Sequence, residues 1–169
     1  MSEWKAVEDR FPKLLRDGYT PTSRATDRYN CVAWVVRETQ QWVSPEDVDG
    51  FSWPHEVLGD GTSLADYERY FELCGFERCS DGILEAGFER IAIYGQGEDF
   101  DHVAFQRDDG AWSSKLGELG DIRHNSLASL EAPGFFEYLP VTVLMKRPRE
   151  PHPLAHRGLL LPGDPGYAQ

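Results

Sequence analysis

At 169 residues, 40% hydrophobic, with five Trp, seven Tyr and nine Phe, the chain is long enough to bury one sizeable core without disulfide staples. A net charge of −12 repels phosphate backbones, so a nucleic-acid reader is not expected. The start, Met1-Ser2-Glu3-Trp4-Lys5, carries no apolar export signal, and no apolar run is long enough to span a membrane. The expectation is a cytoplasmic protein without membrane contact; delivery by a specialised secretion system leaves no such mark and stays open. The three cysteines, Cys31, Cys74 and Cys79, form an odd set without zinc spacing, so no metal and no cofactor is expected. A Cys74–Cys79 disulfide stays open.

In chain order, residues 3–17 predict an amphipathic helix with Trp4, Val7, Phe11, Leu14 and Leu15 near one face and Pro12 interrupting it. A polar loop, Thr20 to Arg28, leads into a second helix that starts near Cys31 and runs to about Gln41 or Val43. Val32, Val35 and Val36 share one of its faces, and Asn30 or Asp27 can cap it. Ser44-Pro45-Glu46-Asp47 is a turn. Gly50-Phe51-Ser52-Trp53-Pro54 either walls a cleft or packs over the core, and Gly59-Asp60-Gly61 is a second turn. Thr62 or Ser63 then caps a helix from Leu64 to Leu73, which Gly75 ends.

The second half predicts strands. Phe76 to Cys79 is short; turns at Asp81-Gly82 and Gly87 precede Arg90 to Tyr94. A glycine- and acid-rich loop, Gly95 to Asp101, leads into a strand opened by His102 and ending at Arg107. Asp108-Asp109-Gly110 is a hairpin turn, followed by a strand over Ala111 to Leu116. After Gly117 and Gly120 come Asp121 to His124, a short helix or turn over Ser126 to Leu130, and a closing strand from Tyr138 to Lys146. Helices first and an antiparallel sheet after argue an α+β fold, one domain over residues 1–147, with a Pro- and Gly-rich tail over 148–169.

A cysteine in the first helical turn lies at the positive end of the helix dipole, which favours thiolate. The bland alternative is a small core hydrophobe. A thiolate nucleophile needs a base and a group that orients the base. A helix-start cysteine followed by a strand histidine is the layout of papain-like enzymes, which makes Cys31 and His102 the candidate pair. If the hairpin loop has three residues, Arg107 pairs with Ala111, and His102 shares its sheet face with Ala104, Gln106, Trp112 and Ser114. Ser114 is then the candidate orienting group; a two-residue loop brings in Ser113 and Lys115 instead. His124 is a rival that folds back onto the site, or else a surface turn residue. The Cys31 backbone N–H with the amide of Asn30 or Gln106 can form an oxyanion hole, though capping and cross-strand bonds are their ordinary work. Gly95-Gln96-Gly97 lacks the rest of a phosphate loop. Glu98, Asp99 and Asp101 can meet a cation or simply be solvated.

Asn30-Cys31-Val32-Ala33-Trp34, Phe88 to Tyr94, His102-Val103-Ala104-Phe105-Gln106, Gly110 to Gly117, Asp121-Ile122-Arg123-His124 and Leu144 to Pro148 together resemble a family of small uncharacterised bacterial proteins. That family carries an N-C-x-A-W start, an H-A/V-A-x-Q strand, a W-x-S-K-L-G strand and an I-x-H end. The resemblance covers roughly residues 28–148. The family in turn resembles the papain-like group that includes NlpC/P60 and CHAP peptidases and amidases. Carried over, this implies Cys31, His102 and Ser114 as the triad, with serine standing where that group usually has His, Asn, Gln or Asp. The expected function is thus a thiol hydrolase or acyltransferase acting through a Cys–His pair on an amide bond of a peptide or protein substrate: a peptide, a cell-wall peptide or a glutamine side chain. The alternative is an inactive relative that binds a protein partner, as an immunity or adaptor module, through an aromatic rim of Trp34, Trp42, Trp53 and Trp112.

Overall fold

The computed structural model describes residues 3–45, 51–54, 57, 63–131 and 137–149. The predicted first helix is two: α1 (Glu3–Arg10) and α2 (Lys13–Asp17). Pro12 has no N–H to continue the ladder, its ring crowds the preceding turn, and it becomes the N-cap of α2. The break turns the second helix, so Val7, Phe11 and Leu14 are buried while Leu15, expected on the same face, is 65% exposed.

The helix that begins at Cys31 is also shorter than expected. α3 (Cys31–Val35) has all five residues buried and ends at Val36, after which Arg37 adopts φ 69°. Its β-branched valines have weak helix propensity, so packing rather than propensity holds the single turn. The expected continuation is instead a strand, β2 (Trp42–Val43), paired in parallel with β3 (Phe51–Ser52). Arg37 is held by an ion pair with the buried Glu89, which accepts a second bond from Arg147 at 2.8 Å. α4 (Leu64–Leu73) matches its expected span, with Ser63 accepting from the Asp66 N–H at 3.2 Å and Gly75 beyond its end at φ 96°.

The main sheet has seven strands: β1 (Tyr19–Pro21), β4 (Glu77–Cys79), β5 (Phe88–Gln96), β6 (Asp99–Gln106), β7 (Trp112–Lys115), β8 (Asp121–His124) and β9 (Val141–Pro148). Their order is β1-β8-β7-β6-β5-β9-β4 with antiparallel neighbours. β1, expected as loop, pairs Tyr19 with His124 at the sheet edge, where its proline costs no ladder bond. Gln96 pairs with Asp99, so most of the expected 95–101 loop is a tight hairpin. His102 therefore lies inside β6 rather than opening it. β9 reaches Pro148, paired with Phe88, just past the predicted domain limit.

Alternation along the strands builds a core on each face. Ile91, Ile93, Val103, Phe105, Val143 and Met145 pack with α3 and α4. Ala92, Tyr94, Ala104, Trp112 and Ile122 pack with Val7, Phe11 and Leu14 of the N-terminal helices. The fold is α+β, a central antiparallel sheet with helices on both sides. Glu46-Asp47, Gly50, Gly59-Asp60-Gly61, Thr62 and the tail from Glu150 lie outside the described residues. Cys31, Cys74 and Cys79 are free thiols. Among the described residues no helix is long and apolar enough to cross a membrane.

Candidate functional site

The hairpin register decides which side chains meet. The Arg107 N–H donates to the Ala111 carbonyl at 2.7 Å, closing a three-residue loop, and Phe105 pairs with Ser113 and Gln106 with Trp112. Because side chains alternate, His102 and Ser114 share one face while Ser113 points to the other, where its Oγ accepts from Trp34 Nε1 at 2.9 Å. β8 lies beside β7 with His124 opposite Trp112, which brings His124 onto the face of Ser114. The result is a buried relay. His102 Nε2 is 3.0 Å from Ser114 Oγ, Ser114 Oγ is 2.8 Å from His124 Nε2, and His124 Nδ1 is 3.0 Å from the Ser126 carbonyl. Ser114 and His124, set against each other as alternatives in the sequence, are successive links.

The carbonyl at the end gives the relay a direction. Burial pushes the His124 pKa down to about 4 and holds that of His102 well below its ordinary 6.5, so both rings are neutral near pH 7. A carbonyl only accepts, so His124 carries its proton on Nδ1 and its Nε2 must accept. Ser114 then donates to His124 and accepts from His102, which fixes the His102 proton on Nε2. This leaves His102 Nδ1 as a bare acceptor, buried and without a hydrogen-bond partner. The ring is further fixed by stacking on Tyr138, with centroids 4.4 Å apart and planes 6° from parallel.

Cys31 reaches the same place from the other face of the sheet. β6 and β7 pair only at Phe105↔Ser113 and Gln106↔Trp112, then part. In that gap the Cys31 sulfur meets the Val103 amide as well as the amides of its own helix start, Cys31 and Val32. Cys31 and His102 line one cavity of about 270 Å³, walled by Trp42, Phe100 and Tyr138. The helix start does not make a resting thiolate, as the sequence suggested it would. At 9% exposure, desolvation outweighs the amides and a five-residue helix, and the thiol is pushed up to about 11. The resting pair is a neutral thiol and a neutral imidazole, not joined by a hydrogen bond.

The supporting amides separate. Asn30, not Asp27, is the N-cap: its Oδ1 accepts from Ala33 and Val43 N–H at 3.0 and 3.2 Å, and its Nδ2 donates to the Val43 carbonyl at 2.9 Å. It also lines the cavity. Gln106 is no part of the site. Four residues along a strand place it roughly 13 Å from His102, and its Nε2 donates to the Gly82 carbonyl at 2.6 Å. The expected aromatic rim does not form either, since Trp34 and Trp112 are buried in cores on opposite faces. Tyr138 and Arg10, which line the cavity, were not singled out from sequence, and Lys115, wholly buried beside it, was named there only as a neighbour of His102 in the two-residue-loop register. Only Lys115 left a trace there, as a cation inside an otherwise buried strand. Among the described residues no cluster of three His, Cys, Asp or Glu is placed to hold a metal ion.

Residues 20–145 match a family described as a domain of unknown function, DUF7689, and the chain belongs to that family. No curated protein and no solved structure matches it.

Proposed function

We propose that the chain is a papain-like thiol hydrolase or acyltransferase that cleaves an amide bond through Cys31 and His102. The observation that carries this proposal is the bare Nδ1 of His102, on a ring that is oriented by Ser114 and His124 and lines the cavity that holds Cys31. As substrate enters, Cys31 turns toward Nδ1, which takes the thiol proton while the sulfur bonds to the amide carbonyl carbon. The amides of Cys31 and Val32 receive the oxyanion. The C–N bond then breaks, and Nδ1–H returns its proton to the leaving amine. Water or a second amine attacks the thioester, again deprotonated by Nδ1, and Cys31 is released. Peptide, cell-wall peptide and glutamine side-chain amides all present the required group. A reducing compartment such as the cytoplasm keeps the three cysteines as thiols.

The buried, protonated Cys31 favours one other reading, an inactive relative that serves as a protein-interaction module. The pH dependence of iodoacetamide alkylation at Cys31, followed by peptide mass spectrometry in wild type and His102→Ala, separates the two. General-base assistance gives the wild type a rate plateau between the His102 and Cys31 pKa values. His102→Ala reduces this to a single limb rising about tenfold per pH unit with the thiolate fraction. The same single limb in both proteins would remove the hydrolase and leave the interaction module.

A further inference from the structure

With His102 neutral at rest, two cations are left near the thiol: Arg10, which lines the cavity, and Lys115. The Lys115 side chain is 0% exposed and lies on the sheet face of Ser113, opposite the relay. Its three ammonium donors are all used, on the carbonyls of Thr26 at 2.8 Å, Gly117 at 2.5 Å and Leu119 at 2.6 Å. Nζ also stands 5.2 Å from the centroid of the Tyr29 ring, whose hydroxyl donates to Asp121 at 2.8 Å. Thr26 and Tyr29 belong to the segment that delivers Asn30 and Cys31, and Gly117 lines the cavity.

We infer that Lys115 is a positioning residue of the proposed reaction: its buried ammonium ties the two loops beside the cavity together and supplies the charge that stabilises the Cys31 thiolate. The inference rests on the thiol-hydrolase proposal. The thiolate forms as Cys31 loses its proton and again when it leaves the thioester; at both moments a fixed cation lowers the barrier without a proton of its own moving. Burial lowers the Lys115 pKa from its ordinary 10.5, while the ammonium and the thiolate each favour the other's charged form. Around them, Asp121 on β8 with Asp27 and Glu118 in the flanking loops offset the ammonium, while His102 on β6, Tyr138 and Arg10 of α1 share the thiol's cavity. Asp121 is directly paired with Lys115 in the ladder.

The test compares the thiolate limb of Cys31 alkylation, at about pH 8 to 10, in wild type, Lys115→Met, Lys115→Arg and Asp121→Asn, with His102→Ala alongside. Lys115→Met is expected to slow the limb about tenfold, one pKa unit, and Lys115→Arg to stay within about twofold of wild type. Asp121→Asn, which keeps an acceptor for Tyr29 while removing the counter-charge, is expected to speed the limb several-fold. This variant decides the matter if Lys115→Met does not fold. A limb that Lys115→Met and Asp121→Asn leave in place, whatever happens to melting temperature, overturns the inference and makes Lys115 a staple only. Loss of the plateau in His102→Ala reports on the Cys–His pair separately, so either claim can fail alone.

Discussion

A serine in the orienting position does something a direct carboxamide does not. It has one proton to give and is held between two imidazoles, so it transmits direction instead of imposing it. The direction comes from the Ser126 carbonyl, by way of His124. Ser114→Ala severs the relay and leaves the His102 tautomer unspecified. The His102-dependent plateau of Cys31 alkylation should fall about tenfold, part of the 10²–10⁴ that a positioned base provides, while the high-pH limb keeps its place. A plateau of unchanged height would make Ser114 a packing residue. At this scale the sequence was informative about residue types and silent about the environment. Cys31, His102, Ser114 and His124 stand out by type and register, yet nothing local shows that desolvation outweighs the helix start and keeps Cys31 protonated.

Among the elements, α3 is the least self-sufficient, a single turn of β-branched and aromatic residues. Asn30 compensates from one side chain, capping the turn and binding β2 through both the N–H and the C=O of Val43. Asn30→Ala is expected to cost about 2–3 kcal/mol, a lost cap plus two buried bonds, read as a lower denaturant midpoint. Asn30→Asp, which keeps the acceptors, should recover part of it. A loss below about 0.5 kcal/mol would show that tertiary packing alone fixes the turn. The span of α4 was legible, and the cap and the register of the 107–111 hairpin were narrowed to two alternatives each, because turn and capping chemistry are local. The continuation past Val36 was not. There a helical apolar pattern yields to the Arg37–Glu89–Arg147 ion network and to strand pairing with residues 51–52, both set by distant partners. β1 was missed for the same reason, since a three-residue edge strand with a proline has no signal without its partner β8.

For the molecule as a whole, two neutral histidines enclosed between sheet and N-terminal helices tie stability to pH. Below an ordinary pKa of 6.5 the unfolded chain takes up imidazole protons that the folded chain refuses, His124 until about 4 and His102 until well below 6.5. Stability is thus full above 6.5 and falls as pH drops through that window. Asp17, Glu85 and Asp109 also have lowered values, but their ordinary values of 3.8 to 4.5 keep them silent until more acidic pH. A melting temperature that declines from pH 6.5 to about 5, with a shallower slope in His124→Phe, is the expected outcome; a flat profile there would mean the rings are not held neutral. The α+β order and the two-faced sheet were visible as helices followed by alternating strands. That α1 and α2 cover one face and α3 and α4 the other was not, because which face a helix takes depends on the chain crossing the sheet.

The whole functional proposal depends on an acceptor nitrogen on His102 facing the thiol. Long-range ¹H–¹⁵N correlation NMR of ring-labelled protein near pH 7, with His102 assigned by comparison with His102→Ala, measures this without a substrate. The expected spectrum has a protonated Nε2 and a bare Nδ1 on His102, and the reverse on His124. A protonated Nδ1 on His102 would leave no base for Cys31 and would contradict both the relay and the reaction built on it.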